Sequence, residues 1–280
     1  MKELYGVAGI SKQAVQQHMN RRIRQDSRTE KFFEQADKIR KDHPRVGCRK
    51  MARELCGPGW GRDKTEQWLL RNGYRVQYRP NYTRTTYAQQ EIYYPNLIEG
   101  LELTDINQVV QTDITYYRVG HKFYYLVFLI DVYSRQIVGY SVNTTMHATG
   151  NIKALNQLLK TRSGQCLQQL IHHSDRGSQY VDKQYGQLLR DKGIRPSMCK
   201  AGWENAYSER INRTIKDEYL DGWKITDYKE LKASVKRAVT HYNTARTHSS
   251  LNATTPIQYE KHLKTIPMKD RIPMKLYQQK

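Results

Sequence analysis

Three carboxylates carry the strongest chemical signal in this sequence. Asp113 lies in the run QTDITYY, Asp175 follows the apolar run LIHHS, and Glu209 lies in the helix-like run ENAYSERINRT. Mg²⁺ and Mn²⁺ prefer oxygen ligands, usually a few carboxylates that leave positions open for water and substrate phosphate. Two such ions can activate a nucleophile and stabilise the leaving oxygen in phosphoryl transfer. The hypothesis is that these three acids meet around divalent metal ions.

Each acid, taken alone, also has a structural interpretation. Asp175 stands before an Arg-Gly pair and is typical of a turn former that caps the next helix. Asp131, in the apolar run FLIDVYS, is an alternative to Asp113 as the strand-borne acid. Glu209 precedes Arg213 by four residues, which is the spacing of an ordinary surface ion pair on a helix. The combination favours chemistry, because an acid in the apolar run around Asp113 is costly to keep without a role.

Strands and helices alternate around these acids, and they predict the fold. Val-, Ile-, Thr- and Tyr-rich runs predict five strands, with a hairpin turn at Gly120: INQVVQTDITYYRV, KFYYLVFLIDVYS, IVGYSV, CLQQLIHHSD and IRPSMCK. Helices are predicted at Ala148–Lys160, SQYVDKQYGQLLRDKG and ENAYSERINRTIKDEYL. The order predicts an α/β domain in which helices flank a mixed five-stranded sheet, the layout of a ribonuclease H-like domain.

This arrangement places the acids on elements that can meet. Asp113 lies in the first predicted strand, Asp175 at the carboxyl end of the fourth, and Glu209 on the helix after the fifth. Sites in α/β sheets are commonly built at the carboxyl ends of strands.

The first part of the chain is predicted to be all-helical. A short helix ends near Gly9, Ser11 is placed as the N-cap of a basic helix, and TEKFFEQADKIRKDHP predicts a further helix. This is the outline of a helix-turn-helix region, with a recognition-type helix at Lys64–Arg71. A set of solvated basic surface helices is the alternative. The expected domains are 1–78 (helix-turn-helix region), 79–102 (linker), 103–222 (catalytic core) and 223–280 (helical segment and tail).

Charge indicates the class of partner. The 280 residues carry a formal net charge of +20, which favours a polyanion, most commonly nucleic acid. No apolar run reaches the roughly 18 residues of a membrane-spanning helix. The four cysteines form no CxxC pair, which indicates reduced thiols and a cytoplasmic location rather than a disulfide frame or zinc site.

Several motifs together resemble the OrfB-type transposases of the IS-three family of bacterial insertion sequences, whose DDE core is similar to retroviral integrases. They are QTDITYY at 111–117, LIDVYSRQIVGYSV at 129–142, HSDRGSQY at 173–180, ENAYSERINRTIKDEY at 204–219 and HYNTARTHSSLNATTP at 241–256. The helical first part also fits the helix-turn-helix region of that family.

The resemblance implies roles for residues. Asp113, Asp175 and Glu209 are implied to be the catalytic triad, which binds two Mg²⁺ or Mn²⁺ ions. Asp131 is then either structural or a neighbour that supports these ligands. Family members usually place thirty-five residues between the second Asp and the Glu, whereas this chain has 33, which points to a short loop near Gly202. Two further acids in the motif do not stand at the expected position of the third acid. Glu204 lies at the helix start, and Glu218 follows Glu209 by nine residues.

The implied activity is DNA cleavage at the ends of an insertion sequence, followed by strand transfer. The implied partners are double-stranded DNA (element ends and target), further copies of the chain and a frameshift-fused upstream OrfA product, in the bacterial cytoplasm at the nucleoid. Candidate DNA-binding residues are Lys64, Arg71, Arg213 and Lys216. Two alternatives stay open: a non-transposing metal-dependent nuclease of the same fold, and a DNA-binding regulator whose acids are structural.

Overall fold

The computed structural model of the protein describes residues 11–56, 61–76 and 94–277. The chain divides into two compact units, Met1–Arg79 and Pro80–Lys280. No helix in the described ranges is both long enough and apolar enough to cross a membrane. The domain boundaries predicted from the sequence stay predictions, and residues 79–93 of the predicted linker 79–102 lie outside the described residues.

The first unit contains three described helices. They are α1 (Lys12–Asp42), α2 (Cys48–Leu55) and α3 (Arg62–Arg71). Their core contains Ala36, Met51, Ala52 and Leu69, all with no exposed surface. The side chain of Arg40 ties the unit together, because Nη1 donates to the carbonyl oxygens of Pro44 and Val46, each at 2.9 Å.

One prediction for this unit is confirmed and another is wrong. Ser11 does cap a helix, accepting a hydrogen bond from the Ala14 N–H at 3.1 Å. However, the two successive helices expected after Ser11 are one continuous helix of 31 residues, because the stretch QDSRTE between them holds no glycine or proline to break it. The helix expected to end near Gly9 lies outside the described residues, and the helix-turn-helix assignment stays a prediction.

The second unit is built on the predicted mixed five-stranded sheet. Its strands are β2 (Val109–Val119), β3 (Lys122–Asp131), β4 (Ile137–Asn143), β5 (Ile171–Ser174) and β6 (Arg195–Met198). Their order is β4-β3-β2-β5-β6, antiparallel from β4 to β2 and parallel from β2 to β6. A two-residue strand, β1 (Glu102–Leu103), precedes them.

Helices cover both faces of this sheet, as predicted. One face packs against α4 (Ala148–Thr161) and α5 (Lys183–Asp191), through a core that includes Leu129, Leu155 and Leu189. The other face packs against α6 (Ala206–Thr214) and α7 (Tyr228–Thr244), through a core that includes Phe128 and Ile211. The apolar alternation along β2 and β3 places successive side chains on opposite faces, so each face has its own core.

The helix predicted over ENAYSERINRTIKDEYL is not one regular helix. A 3₁₀ turn at Gly202–Asn205 leads into α6, which continues as a π-helix at Ile215–Tyr219 and a 3₁₀ turn at Leu220–Gly222. The carboxylate of Glu218 in the π-helix receives a two-pronged ion pair from Arg246, with Nε and Nη2 each donating at 2.7 Å. This distant, mostly buried partner holds the distorted turn, and local sequence does not reveal it.

The last part of the described chain packs back onto the sheet domain. After α7, the helix α8 (Pro256–Leu263) is followed by β7 (Met274–Lys275), which pairs antiparallel with β1. The side chain of Asn243 bonds both the N–H and the C=O of Ile137, at 3.0 and 2.9 Å. The conspicuous HYNTARTH run therefore joins α7 to the start of β4.

A candidate active site with three carboxylates

Strand pairing brings Asp113 and Asp175 side by side. In the parallel pair β2–β5, Thr112 lies opposite Ser174, so the two acids are the next residues along adjacent strands. Neighbouring strands lie about 4.8 Å apart, and residues at equivalent positions point to the same face. Asp175 is also held by its own turn, since the Gly177 N–H donates to its Oδ1 at 3.1 Å.

Helix α6 brings Glu209 to the same face. Asn212, three residues beyond Glu209 on that helix, donates from Nδ2 to Asp113 Oδ2 at 2.8 Å. At the start of the helix, Asn205 donates from Nδ2 to the carbonyl oxygen of Thr112 at 3.0 Å. Two amide side chains therefore tie α6 to the residue before Asp113 and to Asp113 itself.

The three acids influence one another electrostatically. Burial, followed by the charges of Asp175 and Glu209, raises the pKa of Asp113 to about 7, although hydrogen bonds from the Ile114 backbone and Asn212 oppose the rise. Burial also raises the pKa of Asp175, against the hydrogen bond from Gly177. The pKa of Glu209 is raised by burial and the charge of Asp175, and Arg213 opposes that rise.

The three carboxylates suit a hard divalent cation, although their oxygens do not converge on a single point. All three groups are carboxylates, the ligands that Mg²⁺ and Mn²⁺ prefer. Asn212 Oδ1 is buried beside Asp113 with no hydrogen-bond partner, so the pocket has unused polar capacity. Across residues 11–56, 61–76 and 94–277, no three His, Cys, Asp or Glu side chains already form a metal-binding group. Glu209 is exposed, whereas Asp113 and Asp175 are partly buried.

The competing acids are engaged elsewhere. Asp131 is fully buried and accepts N–H groups of Asn107, Tyr133 and Ser134 at 2.7 to 3.1 Å. Glu204, which is also buried, accepts from the backbone N–H groups of Lys200 and Ala201 and so caps the 3₁₀ turn. Glu218 is paired with Arg246, as described above. These contacts give all three acids a structural use.

The candidate DNA-binding cations lie in two places. Lys216 donates from Nζ to Thr115 Oγ1 at 2.8 Å, and burial lowers its pKa. Its ammonium also lies 5.7 Å from the centre of the Tyr116 ring. Arg213 is near enough to Glu209 to lower that residue's pKa. Lys64 and Arg71 are exposed on α3, which belongs to the first unit.

Two functional side chains escaped the sequence analysis, Asn212 and Gln111. Asn212 stands one helical turn after Glu209, and that spacing is a usable signal once the helix is assigned. Gln111 stands two residues before Asp113, so it points to the same face of β2. Its Oε1 accepts the N–H of Tyr207 at 3.1 Å, and its Nε2 donates to the carbonyl oxygen of Glu204 at 2.8 Å.

Known proteins share this arrangement of sequence and fold. Two models of the integrase core domain match residues 104–203 and 192–256. The chain is 33% identical over 174 residues to the transposase of insertion sequence IS904 of Lactococcus lactis subsp. lactis, covering 60% of this chain and 67% of that protein. It is 30% identical over 220 residues to a 31 kDa protein of insertion element IS600 of Shigella sonnei, covering 76% and 80%.

The chain belongs to the insertion-sequence transposase family. This confirms the resemblance to transposases with an integrase core. Other members are matched over less of their length: the chain is 31% identical over 160 residues to a protein of insertion sequence IS986/IS6110 of Mycobacterium tuberculosis and spans 58% of it.

A solved structure supports the fold assignment of this transposase family member. The simian T-cell lymphotropic virus intasome, determined in complex with the PP2A regulatory subunit B56 gamma, superposes with a TM-score of 0.50 at 15% identity. The match covers 64% of this chain and 63% of that one. At this identity the likeness concerns the fold alone, and it confirms the predicted ribonuclease H-like, integrase-core architecture.

Proposed function

We propose that the protein is a DNA transposase that cleaves DNA at the ends of an insertion sequence and joins those ends to target DNA. The observation that carries the proposal is the convergence of Asp113, Asp175 and Glu209 on one face of the sheet, close enough for their charges to interact. Family membership supports the reaction class, polynucleotidyl transfer. The net charge of +20 supports a DNA substrate.

Asp113, Asp175 and Glu209 are proposed to hold Mg²⁺ or Mn²⁺, with two ions in the working enzyme. Such ions would supply Lewis-acid activation of the attacking oxygen and charge neutralisation at the leaving oxygen. The chain's own part is to hold the ligands. The hydrogen bond from Asn212 holds one oxygen of the Asp113 carboxylate in place.

The reaction has two steps of the same kind. In the first, water attacks a phosphodiester at the element end, forming a new P–O bond and releasing a 3′-hydroxyl. In the second, that hydroxyl attacks a phosphodiester of the target, and the displaced 3′-oxygen takes up a proton. Both steps exchange one P–O bond for another, so neither needs a covalent bond to the protein.

Cations of the chain are proposed to hold the DNA. Arg213 and Lys216 follow Glu209 along the same helical stretch, where they would meet phosphates next to the reacting bond. Lys64 and Arg71, exposed on α3, are proposed to contact DNA through the first unit. Action on two element ends calls for an oligomer, and a fusion with an upstream OrfA product stays part of the proposal.

The test is a strand-transfer assay with Mg²⁺ and a pair of DNA duplexes that carry the element's ends. We expect nicking at the end of the element and then joined products of higher mass. Nicking without joining would replace the transposase proposal by the nuclease alternative. DNA binding with neither nicking nor joining would favour the regulator, in which the three acids are structural.

A further inference from the structure

The segment around β7 lies beside the start of the helix that carries Glu209. Pairing of β7 with β1 places Leu103 opposite Met274, and the Leu276 N–H continues the pairing by donating to Leu101 O at 2.8 Å. The Gly100 N–H then donates to Tyr277 O at 3.0 Å. The backbone of Tyr277 is therefore fixed from the strand that precedes the catalytic sheet.

The ring of Tyr277 packs against the 3₁₀ turn Gly202–Asn205 and against the first turn of α6. Its centre lies 5.6 Å from the Trp203 ring in an edge-to-face arrangement and 6.1 Å from the Tyr207 ring. On Tyr207, the guanidinium of Arg135 stacks at 4.1 Å. Aromatic contacts of this kind stabilise a packed turn beyond the area that they bury. Tyr277 thus contacts both Trp203 within the turn and Tyr207 just after it.

The hydroxyl of Tyr277 reaches the strand that carries Asp113. Gln111 Nε2 donates to it at 3.3 Å, and the same amide group binds Glu204 O within the turn and the N–H of Tyr207. Burial raises the pKa of this hydroxyl to about 12, against hydrogen bonds from Gln111 and the Ala206 backbone. The group is therefore a neutral hydrogen-bonding partner at the first residue of α6.

We propose that Tyr277 is a positioning residue for Glu209, an inference that rests on the proposed function. The turn that it supports lies directly against the acid, because a Cβ built on Gly202 would stand 4.0 Å from Glu209 Oε1. If the turn shifts, α6 shifts along β2 and Glu209 moves relative to Asp113. Misplacement by about 1 Å can lower a reaction rate about 100-fold. Among the described residues, the side chain of Tyr277 contacts Gln111, Trp203 and Tyr207 rather than Glu209 or Asp113, so its effect passes through the turn.

The experiment compares Tyr277→Ala and Tyr277→Phe with Ile272→Ala in the full chain. Ile272 belongs to the same segment and is 74% exposed, which makes it a matched control. For Tyr277→Ala we expect the strand-transfer kcat to fall about 10- to 100-fold, with the KM for DNA ends changed less than about threefold. Tyr277→Phe keeps the ring contacts and is expected within about threefold of the wild-type kcat.

Hydrogen exchange supplies a readout that needs no activity. In Tyr277→Ala, amides of residues 202–212 are expected to exchange at least about tenfold faster, while those of β3 keep the wild-type rate. If this variant does not fold, Tyr277→Leu retains apolar bulk and takes its place in both measurements. The proposal is overturned if Tyr277→Ala has the wild-type kcat and unchanged exchange at residues 202–212. It is also overturned if the amides of β3 lose as much protection from exchange as those of the turn. If the wild-type chain joins no DNA, the proposed function fails, and the exchange comparison still decides whether Tyr277 holds the turn.

Discussion

A buried charge network at the end of β3 gives a sharp prediction about stability. Arg162 donates from Nη1 to Glu260 Oε2 and from Nη2 to Glu260 Oε1, both at 2.6 Å, and lies 3.6 Å from Asp131 Oδ2. Arg162 is 3% exposed, Asp131 0% and Glu260 8%. One cation therefore serves two buried acids that stand on different elements.

Replacement of Arg162 by Met removes the cation and keeps most of the volume. Loss of one partner from a buried ion pair costs about 3–5 kcal/mol, because the remaining charge is left uncompensated. Both acids keep neutral donors: Asp131 retains backbone N–H groups, and Ser134 Oγ donates to Glu260 Oε1 at 2.6 Å. We therefore expect a loss of about 3 kcal/mol in the unfolding free energy at pH 8, at the lower end of that range.

The loss should depend on pH in a defined direction. Burial already raises the pKa of Asp131, Arg162 opposes that rise, and removal of Arg162 raises the pKa further. In the variant the folded state then binds more protons than the unfolded state, so its stability falls as pH rises from the unfolded pKa towards the folded pKa. The difference from wild type should be smaller at pH 5 than at pH 8.

The assay is native-state hydrogen exchange of β3 amides, because the chain has two units and its overall melt need not be two-state. The control is the double variant Asp131→Asn with Arg162→Met, which removes an acid along with the cation and should recover part of the loss. A change below about 1 kcal/mol at pH 8, the size expected of a surface pair, would refute the inferred role of Arg162.

Other predictions concern packing, the clamp on β4 and DNA binding. Gly139→Ala should cost about 3 kcal/mol or more in urea unfolding, because the new Cβ would overlap a backbone carbonyl of α4; Gly47→Ala, which meets open space, is the control. Asn243→Ala should cost roughly 2–4 kcal/mol, because it leaves the buried N–H and C=O of Ile137 without partners, as measured by the same unfolding experiment. Lys216→Ala should weaken DNA binding and reduce the salt dependence by about one unit of slope; an unchanged slope would contradict a phosphate contact.

The strands, and the places of Asp113 and Asp175 along them, were predictable because their signals are local. The runs around Asp113 and Asp175 are strongly apolar, and β-branched residues mark the strands. The fold class could therefore be predicted from pattern and motif together.

What escaped prediction depends on partners far apart in sequence. Asp131 looked like a candidate site acid because its cation, Arg162, and the second acid, Glu260, belong to a helix end and a later helix. The π-helix after α6 is held by Arg246, which lies 28 residues beyond Glu218. The contact of Tyr277 with Gln111 spans 166 residues. Periodicity within one segment carries no information about such contacts.

Boundaries of helices were the other weakness, and their errors have local causes. The first helix runs on to Asp42 because helix formers without a breaker leave no stop signal after Ser27. The predicted helix from Ser178 begins only at Lys183, because Asp182 accepts the N–H groups of Gln184 and Tyr185 and so acts as the N-cap. The preceding residues form a short 3₁₀ turn.

The central claim is that Asp113, Asp175 and Glu209 form the reacting site, and single substitutions test it most directly. The measurement is the strand-transfer rate per folded molecule with Mg²⁺, made alongside DNA affinity, for Asp113→Asn, Asp175→Asn, Glu209→Gln and the control Asp131→Asn. Each triad variant should lose more than about 100-fold in rate while DNA affinity changes less than about threefold. Asp131→Asn should keep its rate. A wild-type rate of strand transfer in Glu209→Gln would contradict the account. So would a loss of strand transfer in Asp131→Asn alone, with the three triad variants at the wild-type rate.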